Sequence, residues 1–323
     1  MVIIMKKFKS KKVKKISIFK ITFFTLLTLF FFTFFSNTLF NFKLANSNQE
    51  FIAYMLKDSN HHLLYENKFS IIKTIKRVFN INLSSKGILE TVFGKEVEEF
   101  EDEKVGNDSE YVYDPNPTQV SEPRVYIYNT HQLESYDNTN YNDITPNVLM
   151  VSYLLKEELN KDGIPTIVES SNITEYIKQN NLKYYQSYDA SRYYIEKVLE
   201  NNKNLDLVID LHRDAIEKNA STVTIDDKEY AKILFVVGME HQNYESNLLV
   251  ATSINNIIKE KYPTLTRGII TKSGKNVNGI YNQDLNPNSI LIECGGYKNS
   301  FSEVVNTINI LSEVIKEYLN GRK

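Results

Sequence analysis

Leu207-Val208-Ile209-Asp210-Leu211-His212-Arg213-Asp214 is an apolar run that ends in charge. From Leu205 to Leu211 the run is nearly continuous, which reads as a central strand covered on both faces. Two other segments share its form. Val125–Tyr128 runs into Asn129-Thr130-His131-Gln132-Leu133-Glu134, and Ile290-Leu291-Ile292 runs into Glu293-Cys294-Gly295-Gly296. Each apolar run stops at a side chain able to bind a metal or move a proton. Sheets of α/β proteins place their sites at the carboxyl ends of strands. Three such ends therefore predict one shared site.

The flanking pattern agrees with that reading. Helical spacing of apolar residues marks 147–161, 184–201, 245–261 and 301–319, and short strands are expected at 166–168, 223–225, 233–237 and 268–271. Strands alternating with helices predict a three-layer α/β domain over 121–323 with a mostly parallel sheet.

His131 and Glu134, three residues apart, fall on one side of a tight or helical turn, where both reach one metal ion. His212 supplies a remote third ligand. Two imidazoles and a carboxylate hold Zn2+ with one coordination position left for water. Asp210 faces the same way as His212 along a strand; it reads either as an acceptor for a ligand's outer N–H or as a capping residue. Arg213 binds a substrate carboxylate or carbonyl, or else forms an ion pair with Asp214. Glu293, at the last strand end, is placed to take a proton from water and return it to a leaving amine; the competing role is charge complementation of the helix that follows. Cys294 points the other way and reads as a small core residue. His241 and Asn243 follow the strand ending at Gly238; Asn243 is expected to line the substrate groove and His241 to be a non-ligand. His61 and His62 read as exposed non-ligands.

The chain has 323 residues, 42% of them hydrophobic, and a net charge of −2. That balance gives no ground for nucleic-acid binding. One cysteine excludes a disulfide framework and a multi-thiolate zinc site.

The N-terminus is asymmetric. Seven lysines between Lys6 and Lys15 precede an apolar run from Ile16 to about Phe40, broken by Lys20 alone. About twenty apolar residues suffice to cross a bilayer, and lysines stay on the cytoplasmic side. Residues 1–15 are thus expected to be a cytoplasmic tail and 16–40 an uncleaved single-pass anchor in the cell membrane, with the rest outside the cytoplasm; a cleaved signal peptide is the rival reading. Residues 46–95 are expected to form short juxtamembrane helices, and 96–120, acidic and then proline-bearing, a solvated linker.

Together with Val236-Val237-Gly238 and Asn282-Gln283-Asp284-Leu285-Asn286-Pro287, the three strand ends resemble the stage II sporulation protein P family over most of Arg124–Leu319. That family consists of membrane-anchored peptidoglycan hydrolases related to zinc N-acetylmuramoyl-L-alanine amidases. The resemblance implies an amidase-like fold and cleavage of the amide between N-acetylmuramic acid and L-alanine during engulfment. It also implies a lytic transglycosylase partner and membrane proteins of the engulfment machinery. The family's first motif falls on His131 and Glu134, its second on His212 and its terminal glutamate on Glu293. The chain departs from the family in having Asn129 where a second histidine is common. It also departs from the wider amidases, because Pro146-Asn147-Val148 lacks their expected acid. Cleavage of peptide cross-links by a zinc endopeptidase, and non-catalytic wall binding, are the alternative functions.

Overall fold

The computed structural model describes residues 26, 27, 29, 45–57, 109–117, 120–138, 144–275 and 277–321. The chain divides into two units, Met1–Leu44 and Ala45–Lys323. In the first, Leu26, Leu27 and Leu29 are helical and exposed. The rest of the expected anchor, the histidines at 61 and 62, and most of the expected juxtamembrane segment lie outside the described residues. No helix among the described residues is long and apolar enough to cross a membrane.

The second unit is built on a six-stranded sheet. The strands are β1 (Val125–Tyr128), β2 (Thr166–Val168), β3 (Leu207–Asp214), β6 (Ile233–Gly238), β7 (Thr266–Lys272) and β8 (Ser289–Gly296), in the order β2-β1-β3-β8-β6-β7. Every neighbouring pair is parallel except β6–β8, so the sheet is mixed. β3 lies in the interior of the sheet, and its residues from Leu207 through Arg213 are buried, as the covered apolar run requires.

Side-chain alternation separates two faces. On one, Tyr126, Tyr128 and Val208 pack against Ile195, Val198 and Leu199 of α4 (Ser187–Asn201). On the other lies a layer of three helices, α2 (Val148–Lys161), α6 (Tyr244–Lys261) and α7 (Phe301–Gly321), with α7 touching both of the others. Asn147 starts α2 by accepting a hydrogen bond from the Met150 N–H through its side chain, an N-cap of the preferred type.

Several elements differ from the sequence expectation. The strand expected at 223–225 does not join the main sheet. Residues Thr222–Ile225 (β4) pair with Lys228–Ala231 (β5) as a separate hairpin after the short helix α5 (Lys218–Ser221). Its turn residues Asp226 and Asp227 both have positive φ, the backbone of a two-residue hairpin loop. Ile173–Gln179 (α3) is a helix that apolar spacing did not reveal, because Ile173 is its one buried residue.

The expected solvated linker also differs in its last part. Residues 109–117 are docked on the sheet domain. Tyr153 Oη donates to Val112 O, and the buried Lys156 Nζ donates to Asp114 Oδ2 at 2.5 Å and Asn116 O at 2.7 Å. The helix α1 (Asn48–Lys57) is docked as well, with the Phe51 ring 5.6 Å from Phe301 and Asn48 bonded to both Ser109 and Thr145. A charged, proline-bearing segment can thus be fixed to a domain when one of its carboxylates and one backbone carbonyl meet a buried ammonium and another carbonyl meets a buried hydroxyl.

Candidate metal centre and active site

β1 ends at Tyr128, and the chain soon turns: Glu134 N–H donates to His131 O at 3.0 Å. That turn puts His131 and Glu134 together on the α4 face of the sheet. The Val148 N–H then binds Glu134 O, tying the turn to the start of α2. Gln132, inside the turn, is buried and bridges outward, donating to Ser171 O and accepting from the N–H of Ile173. His212 is brought in from β3, where it pairs with Glu293 of β8. The structure therefore brings together His131, Glu134, His212, Glu293 and Asp210.

Glu134 Oε2 lies 3.3 Å from His212 Nδ1 and accepts the Arg213 backbone N–H at 3.2 Å. Burial raises the Glu134 pKa, but the charge and hydrogen bond of His212, with Arg213 adding to them, outweigh it and bring the group down to about 2. On the far side of the ring, His212 Nε2 is 2.8 Å from Asp210 Oδ1, off the line of a well-formed hydrogen bond. Burial disfavours a charged His212, yet the two flanking carboxylates hold its pKa well above the ordinary imidazole value. His131 is the reverse case: burial lowers it to about 4, so it is neutral. Its ring lies 4.5 Å from Tyr184, nearly parallel, with Tyr188 edge-on at 5.8 Å and His212 at 5.4 Å.

Glu293 faces this group from β8. Its Oε2 atom is buried and has no hydrogen-bond partner. Burial first, with Glu134 and Asp214 adding to it, pushes its pKa up to about 8. A protonated acid and an ionised one thus sit side by side, the separation that acid–base chemistry uses.

Do these residues fit a zinc ion? Two ligands at tetrahedral angles and about 2.0–2.1 Å from zinc stand roughly 3.3 Å apart, which is the Glu134–His212 spacing. A ligand imidazole must be neutral: His131 is, whereas His212, held charged by its two carboxylates, would have to release a proton as the metal binds. Asp210 on the outer nitrogen of His212 is the usual carboxylate–histidine arrangement. As the side chains stand, His131 is turned onto Tyr184, and among the described residues no three His, Cys, Asp or Glu side chains converge on a common point. The donor set fits zinc, with two donors at ligand spacing and the third in ring contact with His212.

Other expectations are placed differently. Because β6 runs antiparallel to β8, with Leu234 opposite Glu293 and Val236 opposite Leu291, its end at Gly238 is the opposite end of the sheet from the site. Asn243 follows that end and is not brought to the groove; its amide donates to Asp284 O at 2.7 Å. His241 is also there, its Nδ1 accepting the Asn243 N–H. Arg213 is buried and donates through Nε to Ser135 O, while Asp214 is paired with Arg267 instead. Asn129 uses both ends of its amide, on Leu211 O and on Ser152 Oγ. Tyr136 Oη donates to Cys294 O, and Cys294 is buried.

Sequence reasoning missed the residues that hold Asp210. Thr130 donates to it twice, through its N–H at 2.9 Å and its hydroxyl at 2.7 Å. The Thr130 hydroxyl also meets Ser191 Oγ, which accepts from Asn282 Nδ2. Asn282 opens the motif running to Pro287. Within that motif Gln283 bonds both Gly238 N–H and Val236 O, and Asp284 takes the Arg192 guanidinium through both oxygens. The motif staples α4 and β6 beneath the site.

A mixed-sheet α/β domain with a histidine–carboxylate cluster at the ends of β1, β3 and β8 is the class that fold and site define. The family model for stage II sporulation protein P matches residues 45–316, so the chain belongs to that family. It is 34% identical over 227 residues to the stage II sporulation protein P of Bacillus subtilis (strain 168), covering 68% of this chain. The chain spans 57% of the length of that relative. Among solved structures, the CwlD amidase from Clostridioides difficile in complex with the GerS lipoprotein is similar at 16% identity and a TM-score of 0.40, over 61% of this chain and 98% of that one. The N-acetylmuramoyl-L-alanine amidase AmiC2 of Nostoc punctiforme is similar at 10% identity and a TM-score of 0.35, over 61% and 96% of the two chains.

Proposed function

We propose that this protein is a zinc-dependent peptidoglycan hydrolase of sporulation that cleaves the amide between N-acetylmuramic acid and L-alanine. Membership of the family supports the substrate. The observation that carries the chemistry is the buried, unpartnered Oε2 of Glu293 beside the Glu134–His212 pair. His131, Glu134 and His212 would hold the metal. When bound, zinc supplies an acidified water and polarises the scissile carbonyl. Asp210 orients His212 through its outer nitrogen. The charge of a bound metal would favour the ionised form of Glu293, which would then take a proton at Oε2 and return it to the leaving amine. The Tyr184 and Tyr188 rings keep His131 in place.

The lysine-flanked run at 16–40 supports anchorage in the cell membrane with the sheet domain outside. Proteolysis of intact cells that spares the sheet domain would overturn that orientation. A lytic transglycosylase remains the partner implied by the family resemblance.

His212→Ala should lose stoichiometric zinc by elemental analysis, and full occupancy would remove it from the ligand set. Glu293→Gln should keep zinc while slowing peptide release from purified peptidoglycan by about 10²–10⁴. Mass spectrometry of the products separates free stem peptides from trimmed muropeptides, and trimmed products alone would make the protein an endopeptidase.

A further inference from the structure

Arg267 is the extra residue of a bulge. Thr266 lies opposite Ile233 and Gly268 opposite Leu234, so Arg267 has no partner in the β6–β7 ladder. Gly268 takes a φ of +91° to permit the step. Bulges commonly re-aim the side chain they carry. Here the guanidinium is aimed along the end of the sheet, past β6 and β8 to β3, where Nη1 donates to Asp214 Oδ2 at 2.6 Å. Three strand spacings amount to about 14 Å, near the full combined reach of the two side chains.

That span passes the site. Glu293 on β8 is opposite Leu234, which is in turn opposite Gly268. Asp214 is close enough for its charge to act on Glu293. The Arg267 side chain is 22% exposed, and among the described residues the bond to Asp214 is its one hydrogen bond. The pair is about one-quarter exposed on each side, and it occupies only one of the guanidinium's nitrogens. The arrangement does explain a guanidinium held at one point with its Nε and Nη2 edge left to a ligand. That edge matches a carboxylate bidentately, where a lysine would offer only a point charge.

We propose that Arg267, steadied by Asp214, is a specificity residue that binds a free carboxylate on the peptide side of the substrate. The proposal rests on the reading of the protein as a peptidoglycan hydrolase, whose stem peptides bear such groups. The same position should reject a stem in which that carboxylate is amidated, because a carboxamide presents no second anionic oxygen.

The test uses the full-length, zinc-supplemented protein and two muropeptides that differ only in having one stem carboxylate free or amidated. The wild type should prefer the free acid at least about tenfold in kcat/KM, the scale of one charged hydrogen-bonded contact. Arg267→Gln should lose about 10- to 100-fold on the free acid, mainly in KM, and at most about twofold on the amide. Arg267→Lys should recover part of the loss, and its unfolding midpoint shows that the fold is kept. Equal losses on both substrates, or no loss on either, would overturn the proposal. A wild type that cleaves both equally would overturn it too, whereas one that cleaves neither would bring down the hydrolase reading itself.

Discussion

Thr130 shows how much a site can depend on a residue with no chemistry of its own. Its N–H and hydroxyl both end on Asp210, and Asp210 in turn stands beside His212. Removing the hydroxyl leaves Asp210 Oδ2, in a buried position, short of a donor. An unsatisfied buried acceptor costs about 1–3 kcal/mol, so Thr130→Val should lower stability by that amount in urea unfolding. Because Asp210 would then be freer to rotate, zinc affinity at the proposed metal site should fall as well. A variant that unfolds at the wild-type midpoint with unchanged zinc affinity would show that Asp210 is positioned by its surroundings alone.

At the scale of elements, the bulge in β8 is what carries the chain from Glu293 into the loop before α7. His212 pairs with Glu293 but Asp214 pairs with Gly296, so β8 gains one residue there. Gly295 takes a φ of +76°, and a Cβ on it would stand 2.7 Å from Asn299 Oδ1 and 2.9 Å from Ala231 Cβ. A Cβ on Gly296 would stand 2.4 Å from Ile216 O. Sequence inspection saw only a glycine doublet; the structure shows that each glycine answers a different demand. Gly295→Ala should cost about 1–3 kcal/mol from the backbone conformation alone, before the clash is counted. An alanine variant with the wild-type urea midpoint would refute this account of the bulge.

At the scale of the molecule, the sheet domain does not begin where the acidic segment ends. Phe51 is fully buried between α1 and α7, and a Phe→Ala change in such a place costs about 3–5 kcal/mol. A chain starting at Ala45 should therefore keep its thermal midpoint, while one starting at Ser121 should lose much of it. Equal midpoints for the two would mean that α1 and 109–117 dock without stabilising. The acid limb of stability is set in part on α7. Burial alone would raise the Glu303 pKa, but hydrogen bonds and charge from Lys218, with a further bond from Asn299, hold it below the ordinary value. A depressed carboxylate contributes stability that is present above its unfolded pKa of about 4.3 and is lost as pH falls through the folded value. Glu303→Gln should flatten the fall in unfolding free energy below about pH 4.3. An unchanged acid limb would exclude this pair.

The α/β class, the central place of β3 and the candidacy of His131, Glu134, His212 and Glu293 as site residues were legible in the sequence alone. Apolar runs ending in ionisable residues are a local signal, since burying charge without a partner is costly and a site is where it is tolerated. The site's nearness to Asp210 was legible for the same reason, through the period-two alternation of β3. What only the tertiary structure decided was anything that depends on strand direction and register. The antiparallel placement of β6 put the strand end before Asn243 away from the site and the start of β7, with Arg267, at the site's end of the sheet, and no residue in either segment encodes that choice by itself. The docking of 109–117 likewise turned on Lys156, a buried ammonium whose partners lie some forty residues away. Local pattern fixes which residues need a site, and long-range pairing fixes which of them share one.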